Sequence, residues 1–564
     1  MIIIFGFIFS INNYIGNVEK TINADGIGYF DYLPSIFFHN DFIRKNENQV
    51  ENIKLYERIN HTGVYVDYGN FKVNKYPCGT AVLQLPFFTF ACLTTELEGI
   101  EYDGYQKSFQ KIVFYAAIFY LFISLFILKR ILLLFQIKSS TILFCQLFLV
   151  FATSLTHYTN ADAGFSHVYS VFAVSFFVYL TKLFFVKENI KYFILACVSL
   201  GLIFILRNPN ILIVFFIPFI AGSKQSLVSG FKLLISNKPK LIIGFLTFTG
   251  VISIQLFAWY FQTGDFFVYS YQNEGFIYLS NPKFYEILFS YKKGLFIYTP
   301  FLLIASISVF LFLYKRNFYF FFSWIFFFTL LTYVLSSWHS WFYGCSYGLR
   351  AYIDYYVIFL IPFAIVVDKI SLGIKIILVS FSLLTIPLNI IQTYQYKEYI
   401  LHWIDMDKDK YWKVFLKTKD RYKGLVWKDD TFLGEKTIEK EISIGNFFIP
   451  KNRNRDIYTI NSNEVPNFNK VNVIQVILDD EFKESDNSSI TLRINDLNDS
   501  TYYWHQRYLI HFHETNLNEW QTGLFNYKFN PIVDNKNKIM TVELKSGNKD
   551  KEFRNIKLKF FNKE

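Results

Sequence analysis

Asp25 stands in the run Asn23-Ala24-Asp25-Gly26-Ile27-Gly28, just after the first long apolar stretch of the chain. A carboxylate between small residues at that place can take a proton from a hydroxyl as the hydroxyl attacks a sugar carbon. It can equally be a solvated loop acid or a helix N-cap, because Asp-Gly is ordinary turn chemistry. Asp31 follows with aromatic residues on both sides and reads as a packed, hydrogen-bonded acid. Asp162 is flanked by His157 and His167. A divalent cation there is conceivable, but the spacing is not diagnostic and no metal ligand is assigned.

Cationic and aromatic groups lie in four other stretches. Lys75-Tyr76-Pro77-Cys78-Gly79-Thr80 leads into the apolar run 81–93. A helix start beside a lysine is an anion site or simply a capped helix. Arg207-Asn208-Pro209-Asn210 lies between two apolar runs. An arginine costs about 2.5–3.5 kcal/mol at the centre of a membrane, so Arg207 should face a polar cavity or the boundary. There it can hold a phosphate bidentately or snorkel to headgroups. Glu274 and the pair Lys292-Lys293 belong to a third stretch, in which the lysines can neutralise a leaving phosphate or anchor headgroups. The fourth runs from Trp338 through Trp341, Gly344, Ser346 and Gly348 to Arg350. Its tryptophans suit an interfacial belt, and its glycines suit backbone packed around a polar ligand.

Long apolar windows must position these groups. The chain has 564 residues, 52% hydrophobic, with 68 Phe and a mean hydropathy of +0.25. The pattern predicts about eleven membrane helices, near 2–18, 112–130, 141–157, 166–183, 190–206, 210–223, 241–261, 295–314, 317–336, 351–368 and 372–391. The first is read as retained, lacking a basic leader and a small-residue cleavage site. Basic connections at 129–138, 182–191, 224–240 and 315–316 alternate with the loops carrying the reactive groups. The positive-inside rule then puts the N-terminus in the cytoplasm, and the reactive loops and residues 392–564 outside. Within the long loop 19–111, the run 81–93 is expected to lie in the interface or against the bundle.

Residues 1–391 read as the membrane domain and 392–430 as an aromatic connector with Trp403, Trp412 and Trp427. Residues 431–564 show short alternating runs at 471–478, 490–494, 502–512, 539–544 and 556–560, the pattern of a β-sandwich. Trp504, His505, Tyr508 and Trp520 read first as packing groups and only second as a stacking surface for glycan. The five cysteines form no C-x-x-C pair, so no zinc site or disulfide framework is indicated. The net charge of +11 comes partly from the membrane-side loops, and no basic face with interleaved aromatics suggests nucleic acid.

Asp25, Lys75-Tyr76-Pro77-x-Gly79-Thr80, Arg207-Asn208-Pro209-Asn210 and Trp338-x-x-Trp341-x-x-Gly344-x-Ser346-x-Gly348-x-Arg350 together resemble the GT-C superfamily over roughly residues 1–400. These are polytopic membrane glycosyltransferases related to protein O-mannosyltransferases and to the lipid A aminoarabinose transferase. The resemblance implies a polyprenyl-phosphate sugar donor, an inverting displacement at the periplasmic face, and a glycan, lipid or protein acceptor. It implies Asp25 as general base, with Arg207, Arg350, Lys75 and Lys292 or Lys293 at the lipid phosphate. The Asp-Glu pair of the protein O-mannosyltransferases is Asp25-Gly26 here, which weakens the case for a protein acceptor. No cofactor is required if these cations supply the charge.

Two other classes compete. A transporter or lipid-linked glycan flippase would want ionisable groups at mid-membrane and a matching pair of broken helices. A non-catalytic scaffold presenting the β-domain would tolerate loss of Asp25, Arg207 and Arg350.

Overall fold

The structure, a computed structural model, describes residues 20–39, 42, 63–97, 103–419, 422–427, 437–481, 488–496, 501–509, 520–528 and 537–562. The chain divides into two compact units, Met1–Thr393 and Tyr394–Glu564.

The first unit is helical. Among the described residues, six helices are long and apolar enough to cross a membrane: Lys107–Leu134, His167–Lys187, Lys238–Thr263, Phe318–Ser336, Arg350–Lys369 and Leu372–Lys397. A seventh results if Asn208–Ala221 and Lys224–Ser236, bent by 119° at their junction, count as one span. Of the other five expected spans, backbone breaks interrupt three, and the helix at 190–206 is Ile190–Leu206, 17 residues long. The expected span 141–157 is the 13-residue helix Ser139–Phe151, about 20 Å against a hydrocarbon core of about 30 Å. Pro300 divides 295–314 into Leu295–Tyr298 and Pro300–Arg316. Pro209 opens a 3-10 stretch, Asn208–Phe216, where 210–223 was expected to span. The expected helix 2–18 lies outside the described residues. The run 81–93 belongs to a longer helix, Gly79–Leu97, packed on Lys107–Leu134.

Burial sorts the helices. Arg350–Lys369 is 94% buried over its apolar window, whereas Lys238–Thr263 is 17% buried. The outer helix therefore exposes Phe245, Phe257 and Phe261. An apolar face of that extent needs lipid rather than water against it. Lys182, expected in a basic loop, is buried within its helix and donates to the carbonyl of Ile220 at 3.0 Å. It caps the last turn of Ile217–Ala221.

In the membrane unit, a small hairpin pairs β1 (Tyr65–Tyr68) with β2 (Phe71–Asn74). The second unit holds β3 (Thr437–Ile449), β4 (Asn454–Asn461), β5 (Val471–Glu481), β6 (Ser489–Asp496), β7 (Thr501–Tyr508), β8 (Trp520–Lys528), β9 (Lys538–Lys545) and β10 (Lys551–Asn562). They form two antiparallel sheets, ordered β3-β10-β5-β8 and β4-β9-β6-β7. Val476, Leu558 and Phe525 of one sheet share a buried cluster with Leu492, Val542 and Ile457 of the other, so the sheets face each other across one core. Counted within this unit, the orders are 1-8-3-6 and 2-7-4-5, the winding of a jelly roll. Alternation in β5, where Ile474, Val476 and Leu478 are buried, drives the packing. The expected runs 471–478, 490–494, 539–544 and 556–560 lie within β5, β6, β9 and β10, and 502–512 begins in β7 and ends outside the described residues, while β3, β4 and β8 carry too weak an alternation to be read beforehand.

Candidate functional site

Small residues let three distant stretches meet at Asp25. Ala24 adopts φ 42°, turning the chain into the short helix Asp25–Phe30. A Cβ on Gly26 would lie 3.2 Å from the backbone of Gly164, so the Asp25 turn rests directly on the loop carrying Asp162. A Cβ on Gly28 would lie 2.2 Å from the Tyr76 ring, which takes that space instead. Tyr76 donates to Asp25 Oδ1 at 2.9 Å. Its own backbone N–H donates to Asn74 Oδ1 at 3.0 Å, and its carbonyl accepts from Tyr32 at 2.7 Å. Gly79 starts its helix against the backbone of Ile205, 2.5 Å from where a Cβ would stand. That contact places Lys75-Tyr76 beside the end of Ile190–Leu206, where Arg207 begins the next segment.

Arg350 reaches Asp25 from the other end of the unit, with Nη1 donating to Oδ2 at 2.6 Å. Positive φ at Tyr343, Gly344 and Gly348 coils the loop that delivers it. Four residues on, Asp354 is fully buried. It accepts from His167 Nδ1 at 2.9 Å and from Asn210 Nδ2 at 2.7 Å, with Arg207 Nη1 at 3.4 Å. Arg207 Nη1 also lies 2.9 Å from His167 Nδ1. A buried carboxylate needs such partners, and here it locks Arg207 and His167 in place. Asp25, Arg350 and Arg207 keep 24%, 17% and 17% of their side-chain surface, so the cluster touches solvent.

Other expected residues take varied places. Lys75 pairs with Glu274 at 2.5 Å and lies over Tyr271, whose ring packs edge-on against Trp338. Lys293 is buried and donates to the carbonyl of Ser346, whereas Lys292 stacks on Phe342 at 4.2 Å. Trp341 packs against the bundle core. Asp162 accepts from, or pairs with, His157 Nε2 at 2.9 Å. Asp31 stands apart from the site: it is fully buried, with Ser35, Tyr65 and Tyr105 donating to its oxygens. It ties the first loop to the start of Lys107–Leu134 and is a structural acid.

The cations expected to await a phosphate are thus engaged with carboxylates in this structure: Arg350 with Asp25, Arg207 with Asp354, Lys75 with Glu274. Burial opposes the Asp25 charge, but Arg350 and the Tyr76 hydroxyl outweigh it and hold the carboxyl below its usual range. Burial and the neighbouring Asp25 hold the Tyr76 phenol protonated, as its donor role requires. Burial pushes the Lys293 ammonium down to about 7, with Arg350 adding to the effect. Among the described residues, no group of three or more His, Cys, Asp or Glu side chains gathers as a metal site would.

Asp354 was missed in sequence. Its signal was an acid inside an otherwise apolar span, one helical turn after Arg350. Beside Tyr32, an apolar recess of about 810 Å³ opens between Leu85, Ile254, Phe257 and Phe261. Neither protein-family models nor curated proteins match the chain.

Proposed function

We propose that the chain is an integral-membrane glycosyltransferase of the GT-C kind, moving a sugar from a polyprenyl-phosphate donor to a cell-envelope acceptor at the periplasmic face. One observation carries the reading: residues 325 positions apart, Asp25 and Arg350, meet at 2.6 Å, with Tyr76 on the same carboxylate and Arg207 in the adjoining cluster. An acid and fixed cations at one boundary are what an inverting displacement of a lipid phosphate needs.

In this mechanism the donor phosphate draws Arg350 away from Asp25. The freed carboxylate takes the acceptor hydroxyl's proton as its oxygen bonds to the anomeric carbon. The carbon–oxygen bond to phosphate breaks, and polyprenyl phosphate leaves with the electron pair, its charge met by Arg350 and Arg207. The apolar recess beside Tyr32 offers the prenyl tail a place next to the Tyr76 backbone. The test is mass spectrometry of envelope glycans from cells carrying Asp25→Asn. Transfer should fall at least about 100-fold with normal protein levels; unchanged product rejects Asp25 as the base.

A further inference from the structure

The sheet β4-β9-β6-β7 turns one face to the core through Leu492, Ile494, Val542 and Leu544. Alternate residues occupy the opposite face. Pairing sets Trp504 of β7 against Arg493 of β6, and Arg493 against Thr541 of β9. The next row along sets Gln506, Thr491 and Glu543 side by side. Trp504 is 54% exposed, and Tyr502, about 7 Å along the same strand, is 47% exposed.

Arg493 is held rigidly, 2.7 Å from Asp456 and 3.5 Å from Glu543. At the far end of β7, Tyr508 stands beside Tyr399, Lys423 and Glu398 of the same unit. The face is therefore bounded at one end and open at the tryptophan. Trp520, grouped with Trp504 on sequence, is on the other sheet, with Arg554 3.9 Å over its ring.

We propose that this outward face binds a neutral linear oligosaccharide, with Trp504 as its stacking platform. A pyranose has a flat C–H surface, which an exposed indole covers. Its rim of hydroxyls both donates and accepts. Arg493 donates, Asp456 and Glu543 accept, and Thr541 and Gln506 do both. Beside the tryptophan the Arg493 charge is met by Asp456 and Glu543; the further cations of this sheet, Lys538 and Lys545, stand at the two ends of β9, Lys538 5.9 Å from the Tyr502 ring.

The test titrates the full chain in nanodiscs with hexasaccharides of glucose, mannose, xylose and N-acetylglucosamine, reading binding calorimetrically. At least one should bind saturably. Trp504→Ala should weaken it about tenfold, Trp504→Phe should retain most of the affinity, and Trp520→Ala should change nothing. Binding of no probe, unaltered affinity in Trp504→Ala, or equal loss in Trp520→Ala overturns the proposal. Thermal unfolding of each variant establishes that the fold is intact.

Discussion

At Asp25 two neighbours decide the protonation state. Burial alone would raise the carboxyl, yet Arg350 and Tyr76 bring it below the ordinary aspartate value of about 3.9. Stability from this pair is present above that value and is lost as pH falls through the lower folded one. For transfer, kcat/KM should stay flat through mildly acidic pH and drop only below the usual carboxylate range. Arg350→Ala removes the charge that holds Asp25 down, so its acid limb should move to higher pH. A basic limb near pH 7 is expected from Lys293, and Lys293→Arg should shift it upward; a profile unmoved in both variants removes these groups from the chemistry. Asp354 has another task. Asp354→Ala leaves Arg207 and His167 without their carboxylate and should cost about 3–5 kcal/mol, read as a lowered unfolding midpoint. Asp354→Asn, which keeps the shape, should recover part of it.

At the scale of elements, glycines set how closely the pieces approach. Gly28 leaves room for the Tyr76 ring, and the ring's position delivers its hydroxyl to Asp25. Gly28→Ala should push the ring aside and cost one hydrogen bond to a charged group. That corresponds to a fall in kcat of about 10–100-fold, with a lowered unfolding temperature from the overpacking; a variant as active as the natural chain would argue against a role for Tyr76. Element boundaries explain three of the expected spans that do not appear as long helices: Pro209, Pro300 and the turn after Phe151 interrupt apolar runs that a hydropathy window registers as continuous. Hairpin β1–β2, joined by Gly69 at φ 60°, was overlooked because its strands are four residues each.

For the whole molecule, sidedness is the central expectation. Cys345 is an exposed thiol on the loop that carries Arg350. In intact cells stripped of their outer layers, a membrane-impermeant maleimide should label Cys345, whereas a cysteine placed at Lys232 should react only after permeabilisation. The reverse pattern would invert the topology and put the proposed site in the cytoplasm. The second unit has its own core between two four-stranded sheets, so substitutions on its outward sheet face should leave that core in place.

Composition and periodicity alone determined that a helical membrane part precedes an all-β part, because hydrocarbon and a two-sided sheet each impose a period that residue types reveal. The loop motifs and the family resemblance singled out Asp25, Tyr76, Arg207 and Arg350 as candidates. Contacts belonged to the tertiary structure: that Asp25 meets Arg350 rather than water, that Asp31 is sealed inside three hydroxyls, that Trp504 and Trp520 occupy different sheets. Those outcomes depend on close packing between stretches tens to hundreds of residues apart, which no local pattern encodes.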